Sequence, residues 1–201
     1  MKILTRTSAA RGFSLLEVLV SMFVLAMGLL GLAGLQTRVS VAEMESYQRT
    51  QALILVQNMV DRIATNGSAL RADIGHGTSL AVYTTVLNST DVGGAEQSCT
   101  GSGAALDLCE WGNQIAGVSE KNGSSQNIGT LTNGRGCIRR PDAADPYLYL
   151  VVVSWQGRIA SKSPPTTQID CGSGTGSDAA NYTAANKRRV VALPVRIAKL
   201  T

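Results

Sequence analysis

An apolar run near the N-terminus is the feature that most constrains this 201-residue sequence. The run covers residues 13–35, reads FSLLEVLVSMFVLAMGLLGLAGL, and contains one charged residue, Glu17. As an α-helix rising about 1.5 Å per residue it would be roughly 35 Å long, which is enough to cross a bilayer. Any interpretation of the chain therefore has to explain both a membrane-length helix and a carboxylate near its start.

The charges around this run predict its orientation. Lys2, Arg6 and Arg11 precede it with no acidic residue among them, so the positive-inside rule places the N-terminus in the cytoplasm and the rest of the chain on the other side. These three leave 15 of the 18 basic residues against 14 acidic ones. The body of the protein is thus nearly neutral, which argues against a dedicated nucleic-acid-binding surface.

Two ordinary interpretations of the segment each leave something unexplained. A cleaved secretory signal requires small residues in an A-x-A pattern, and the sequence LAGLQ at 32–36 offers only a poor version of that site. A simple signal anchor explains the length and the basic flank. It gives no reason for Glu17, because a carboxylate in lipid costs a few kcal/mol and by default implies a partner.

The residues at the charge boundary favour a third interpretation. The sequence RGFSLLE at 11–17 resembles the type III signal of type IV prepilins and pseudopilins, in which a short basic leader ends in Gly and is followed by an aromatic residue and a Glu at the fifth mature position. The resemblance implies cleavage after Gly12 by a prepilin peptidase and methylation of the new amine of Phe13. It also implies that the apolar segment is retained as an assembly helix.

The same resemblance gives Glu17 a role in assembly. After cleavage, the cationic amine of Phe13 and the anionic Glu17 would both be poorly solvated in or near lipid, and pairing the amine of one subunit with the carboxylate of a neighbour would relieve both costs. The alternative is that Glu17 merely reaches the membrane interface from a position near the helix end.

Beyond the apolar run the sequence predicts a continued, amphipathic helix. Leu53, Val56, Val60 and Ile63 follow one another at intervals of 3, 4 and 3 residues, and Asn66-Gly67 is a typical C-terminal stop. We therefore expect one helix from about Ser14 to Thr65. A second, short amphipathic helix is predicted from Asp107, where Leu108, Trp111, Ile115 and Val118 repeat at 3, 4 and 3.

The remainder of the chain predicts a small antiparallel sheet. Residues 137–138, 147–155 and 188–197 are rich in β-branched and aromatic residues and are separated by turn-forming segments. Pro194 indicates that the last of these is an edge strand or is broken there, and residues 80–87 form a possible short strand or helix. A sheet packed on the apolar stripe of the long helix gives an α+β fold.

The four cysteines, at 99, 109, 137 and 171, are predicted to form disulfides, because they are even in number and lie on the non-cytoplasmic side. Of three possible connectivities, nearness in sequence favours Cys99 with Cys109 and Cys137 with Cys171. A zinc site is disfavoured because the sequence has no C-x-x-C pair.

The whole layout resembles the PilV family of minor pilins, through the long N-terminal helix, the short Trp-bearing helix, and the strand sequences YLYLVVVSWQGR and RRVVALPVRI. It departs from major pilins, which often have a proline where this chain has Gly34. The resemblance implies a cleaved leader over 1–12, a transmembrane and assembly helix over 13–36, an amphipathic continuation over 37–66 and a periplasmic domain over 67–201. A minor pseudopilin of type II secretion is the alternative.

The partners implied by this resemblance are other pilin subunits, prepilin peptidase, inner-membrane lipid and the pilus assembly platform. The implied location is the inner membrane before assembly and the pilus filament or its tip afterwards. Support of pilus assembly, twitching motility or adhesion is the implied function.

Catalytic and cofactor motifs are not found in the sequence. The one histidine, His76, has no second histidine with which to build a triad, and neither G-x-S-x-G nor a P-loop pattern occurs. We therefore predict no enzyme activity, no cofactor and no metal. Two basic clusters, Arg135 with Arg139 and Arg140, and Lys187-Arg188-Arg189, are interpreted as solvated strand ends that discourage edge pairing, with a DNA-binding patch as the alternative.

The leader motif makes a direct prediction about processing. Replacing Gly12 with Leu is expected to leave the precursor uncleaved in the membrane, because the resemblance implies a leader that ends in Gly at the cleavage site. The mass of the purified chain measures the result, and Gly28→Leu is a matched control inside the helix. A Gly12→Leu product shortened like the wild type would contradict the predicted cleavage site.

Overall fold

The computed structural model describes residues 12–67, 92–124, 127–129, 131–142, 144–145, 147–162, 165, 169–173 and 186–198. Helix α1 covers Leu15–Thr65 and helix α2 covers Ala104–Ile115. Strands β1, β2 and β3 cover Arg135–Arg139, Leu148–Gln156 and Arg188–Arg196. The predicted α+β fold, a long N-terminal helix with a small antiparallel sheet, is confirmed. Residues 1–11 of the leader, His76 and the element predicted at 80–87 lie outside the described residues.

Helix α1 has the predicted extent. It contains 51 residues, and it is preceded by Ser14, whose carbonyl accepts the first helical hydrogen bonds from the amides of Glu17 and Val18 at 3.0 and 3.3 Å. It ends at Thr65, directly before the Asn66-Gly67 pair. Both ends thus lie where local sequence signals predict them.

The chain divides into two compact units, Met1–Glu43 and Met44–Thr201, and the boundary falls within α1. In the first unit, residues 12–40 are all exposed to solvent. In the second unit, α1 contributes a buried stripe formed by Ala52, Val56, Met59 and Ile63. The same helix therefore has two kinds of surface along its length.

The buried stripe is rotated slightly from the predicted one. Val56 and Ile63 are buried as expected, but Leu53 and Val60 are only half-buried, and Ala52 and Met59 take the central places. Each of these two lies one residue earlier, about 100° around the helix from the position that it replaces, so the centre of the whole stripe moves by about half that angle. Consequently the spacing of 3, 4 and 3 identified the amphipathic helix but not all of its buried residues.

The sheet has the order β1-β2-β3, and both pairings are antiparallel. Alternate residues of β2 face the helices: Tyr149, Val151, Val153 and Trp155 belong to the main core together with the α1 stripe. On the opposite face, Val152 packs with Cys137 and Cys171 in a second, smaller cluster. This two-sided burial explains why β2 is an almost continuous apolar run.

Pro194 lies within β3, opposite Leu150, and does not break the strand. Because β3 is at the edge of the three-stranded sheet formed by the described residues, only one of its sides is hydrogen-bonded in that sheet, and a residue without an amide hydrogen is tolerated there. The prediction of an edge strand is therefore confirmed.

Helix α2 is present but begins earlier than predicted and ends before Val118. Its buried side chains include Leu108, Trp111 and Ile115, and the indole Nε1 of Trp111 donates a hydrogen bond of 2.8 Å to the carbonyl of Leu55 on α1. The close approach of α2 to β1 depends on Gly136, where a Cβ would lie 2.5 Å from atoms of both Trp111 and Ile115.

Two disulfides join all four cysteines in the pairs that sequence nearness favours, Cys99–Cys109 and Cys137–Cys171. They lie in different surroundings. Cys137 and Cys171 are fully buried beneath the outer face of the sheet, whereas Cys99 is partly exposed. The first bond spans 10 residues of sequence and the second spans 34.

The surroundings and spans of the bonds predict unequal effects on stability. Replacing Cys137 and Cys171 together by Ser is expected to cost about 4 kcal/mol from chain entropy, plus a penalty for burying two hydroxyls, against about 3 kcal/mol for Cys99 with Cys109. Denaturant unfolding of the three proteins measures the difference. A mild reductant is also expected to release the Cys99 and Cys109 thiols first, and earlier release of Cys137 would contradict this ranking.

Candidate assembly site

The residues predicted to be processed lie at the start of α1. Gly12, Phe13 and Ser14 precede the helix and are exposed, and the Phe13 side chain has 84% of its surface accessible. Glu17 lies in the first turn, where a negative charge interacts favourably with the helix dipole. No ion pair joins Glu17 to another residue in the part of the chain that the structure describes.

The helix that follows presents an apolar surface on all sides. Its most apolar 18-residue window has a mean hydropathy of 2.4, and none of that window is buried within the chain. By length and composition it is the one helix among the described residues that could cross a membrane. Its exposed large side chains include Leu15, Leu16, Phe23, Leu30 and Leu35. So much apolar surface on a helix requires lipid or other protein to cover it.

In the second unit, α1 is fastened to the sheet by a cluster around Glu45. One carboxylate oxygen, Oε1, accepts hydrogen bonds from Nη2 of Arg189 at 3.1 Å and from the amide of Ile159 at 3.2 Å. The same Nη2 donates to the carbonyl of Ile159 at 2.8 Å. These bonds, which we call the Glu45 clasp, join α1, β3 and the loop after β2.

A second ionic cluster fastens α2 near the end of α1. Nη1 of Arg62 lies 3.0 Å from Asp107 and 2.8 Å from Glu110, and Nδ2 of Asn66 donates to Asp107 at 2.8 Å. The hydrogen bond to Glu110, opposed by partial burial and aided by the bond to Asp107, raises the pKa of Arg62 above its usual range. Arg62 is thus held as a cation between the two helices.

The chain was compared with known proteins. The prokaryotic N-terminal methylation motif matches residues 7–33. The motif supports a type IV pilin-like or pseudopilin-like protein. The comparison with curated proteins and that with solved structures each returned no match. The motif covers Gly12, Phe13 and Glu17 and most of the exposed apolar part of α1, and it favours a structural protein over an enzyme.

The interpretation of the second basic cluster as solvated strand ends is wrong. Arg188 is fully buried, and its Nη1 donates to the carbonyls of Ile169 and Cys171 at 2.9 and 2.8 Å. Arg189 is engaged in the Glu45 clasp, and Arg139 of the other cluster pairs with Asp170 at 2.9 Å. The alternative interpretation, a DNA-binding patch, is also weakened, because Arg139, Arg188 and Arg189 are already paired or buried and cannot contact phosphates freely.

Sequence reasoning missed the Glu45 clasp, although one signal could have indicated it. Along β3, Arg189 alternates in step with Val191, Leu193 and Val195, which belong to or pack against the main core. The period of two therefore places Arg189 on the face of the sheet that α1 covers. A cation at such a position requires a carboxylate partner.

The clasp generates a prediction about stability. Glu45→Gln keeps the size of the side chain but removes its charge, so we expect a loss of about 1–2 kcal/mol because a charge-assisted hydrogen bond becomes a neutral one. Denaturant unfolding of the detergent-solubilised chain, followed by the fluorescence of Trp111 and Trp155, measures the change. The exposed Glu43 provides the control Glu43→Gln, and equal effects of the two variants would argue against the clasp.

Proposed function

We propose that this protein is a minor pilin of the PilV type, a structural subunit of a type IV pilus. One observation carries the proposal: the methylation motif at residues 7–33 includes the start of a 51-residue helix whose first part is apolar and exposed on all sides. A subunit that inserts into the membrane and later enters a filament requires such a helix, because lipid and then neighbouring helices cover the same surface.

The order of segments along the chain gives the proposed steps of processing, membrane insertion, folding and assembly. Residues 1–12 act as a leader that prepilin peptidase removes after Gly12, and the new amine of Phe13 is methylated. Residues 13–36 hold the subunit in the inner membrane, while 37–66 continue as an amphipathic helix and 67–201 fold in the periplasm. The assembly platform then moves the subunit into the filament or its tip, where it supports pilus assembly, twitching motility or adhesion.

The disulfides support the periplasmic location in this proposal. Both bonds lie in the second unit, and structural disulfides form and persist in oxidising compartments. The basic flank formed by Lys2, Arg6 and Arg11 favours the matching orientation, with the N-terminus in the cytoplasm.

The competing function within the same superfamily is that of a minor pseudopilin in type II secretion. It shares the leader and the helix, and it differs in the assembly that the subunit joins. Deletion of the gene followed by separate assays of surface pili and of protein secretion discriminates the two. Loss of secretion with normal pili would reject the pilus role.

Glu17 provides the test of assembly as opposed to anchoring. In Glu17→Val the anion is lost, so the amine of a neighbouring Phe13 would be left unpaired in surroundings of low dielectric constant. We expect incorporation into pili to fall by about tenfold or more, while membrane insertion survives because the segment becomes more apolar. The measurement is the abundance of the subunit in sheared pili relative to the membrane.

Two comparisons make the Glu17 result decisive. Glu43→Val, at an exposed position beyond the apolar run, controls for the loss of any carboxylate from α1. Equal incorporation of Glu17→Val and the wild type would show that Glu17 is tolerated and not used in pairing.

A further inference from the structure

A cleft in the second unit lies beside the Glu45 clasp and has no role in the proposal above. It has a volume of about 370 Å³, and its described lining consists of Glu45, Ser46, Arg49, Trp155, Arg189 and Val190. One wall is therefore the N-terminal end of the α1 segment that belongs to this unit, and the other wall is formed by β2 and β3. We call it the α1–β3 cleft.

The cleft carries an excess of positive charge. Glu45 neutralises Arg189 through the clasp, whereas Arg49 is exposed and forms no ion pair with any other described residue. Two guanidinium groups thus face one carboxylate in a small volume. Such a site favours a ligand that brings one negative charge.

Two hydrogen-bond donors in the walls also lack acceptors. Nη1 of Arg189 and Nε1 of Trp155 are buried, and neither has a hydrogen-bond partner among the described residues. Buried donors are nearly always paired in folded proteins, so an exception requires an explanation such as a missing acceptor. Both atoms belong to residues that line the cleft, but the atoms themselves are closed to solvent, so the exposed guanidinium of Arg49 is the group that a ligand in the cleft reaches.

We propose that the α1–β3 cleft receives the carboxylate of an aspartate or glutamate side chain from a neighbouring subunit. A carboxylate brings one negative charge and two acceptor oxygens, which match a guanidinium fork. The remaining lining comes from Ser46, Trp155 and Val190. A nucleic acid requires a continuous basic track, and Arg139 and Arg188 are already engaged elsewhere.

The inference rests on the proposed function, because assembly through α1 is what brings another subunit close to residues 45–49. It deepens that proposal by naming the chemistry of one lateral contact between folded domains. The contact is separate from the pairing of Glu17 with Phe13, since all described residues of the cleft belong to the Met44–Thr201 unit.

The test uses the full chain in its own bacterium. Arg49→Glu reverses the charge at an exposed position, so it is expected to leave folding intact while incorporation into pili falls by about tenfold, since it places like charges opposite each other. Arg158→Glu is the matched control, because Arg158 is also exposed and does not line the cleft. The level of processed, disulfide-bonded protein in the membrane reports folding for both variants.

A photocrosslinking residue in place of Thr50, which is exposed one turn beyond Ser46, identifies the neighbour in assembled pili. The expected product contains a partner peptide with an aspartate or glutamate. Replacing that acid with Arg is then expected to restore the incorporation of Arg49→Glu. The carboxylate contact is supported if replacing this acidic residue with Arg restores incorporation of Arg49→Glu, whereas replacing another acidic residue nearby with Arg does not.

Each other outcome counts against the inference. Normal incorporation of Arg49→Glu, an equal loss with Arg158→Glu, or failure of every charge exchange in the crosslinked peptide would overturn the contact while leaving the minor-pilin proposal standing. Failure of the wild type to enter pili at all would overturn both proposals.

Discussion

Four side chains on one side of α1, Ala52, Val56, Met59 and Ile63, are completely shielded from water, and the second unit is organised around them. Burying side chains of this size removes roughly 1.5–3 kcal/mol of unfavourable hydration for each of the larger ones. That gain is non-directional, however, and it does not fix where along α1 the other elements lie. The ionic clusters at the two ends of the stripe supply the missing direction.

The two clusters hold different elements against α1. The Glu45 clasp holds β3 and the loop after β2 at the beginning of the stripe, and Arg62 holds α2 at its end through Asp107 and Glu110. Between them, the indole of Trp111 bonds to the Leu55 carbonyl. Partly buried ion pairs of this kind add modest stability but strong geometric specificity. The apolar stripe thus provides the energy of packing, and the polar bonds set its register.

Much of this architecture could be predicted from the sequence because its signals are local. The limits of α1 depend on a charge boundary and on Asn66-Gly67, and the strands depend on runs of β-branched residues. The burial of Arg188 could not be read in the same way, because an arginine at the first position of a strand is the same in sequence whether or not a set of carbonyls meets it. For Arg189 the period of the strand indicates the face but not the partner, Glu45. The burial of Ala52 in place of the predicted Leu53 has a similar cause. The apolar stripe is broad, and the surface that packs against it decides which of its residues are covered.

The candidate assembly site could be proposed from the sequence for a different reason. Gly12, Phe13 and Glu17 lie within six residues of one another, so the sequence alone contains their spacing. The α1–β3 cleft combines residues that are more than a hundred positions apart, such as Arg49 and Arg189. Only the folded chain brings them together, and no periodicity in the sequence indicates their meeting.

The long disulfide loop has a mechanical consequence for any subunit under tension. Cys137 and Cys171 are separated by 34 residues, which would extend to roughly 110–120 Å if the sheet were pulled apart. Because the disulfide is covalent, a force applied to the ends of the chain cannot extend the residues that it encloses. The shorter Cys99–Cys109 loop reduces the extensible length by about 35 Å more. A stretched chain would therefore extend by only part of its contour length, with the end of β1 and all of β2 still enclosed in the larger loop.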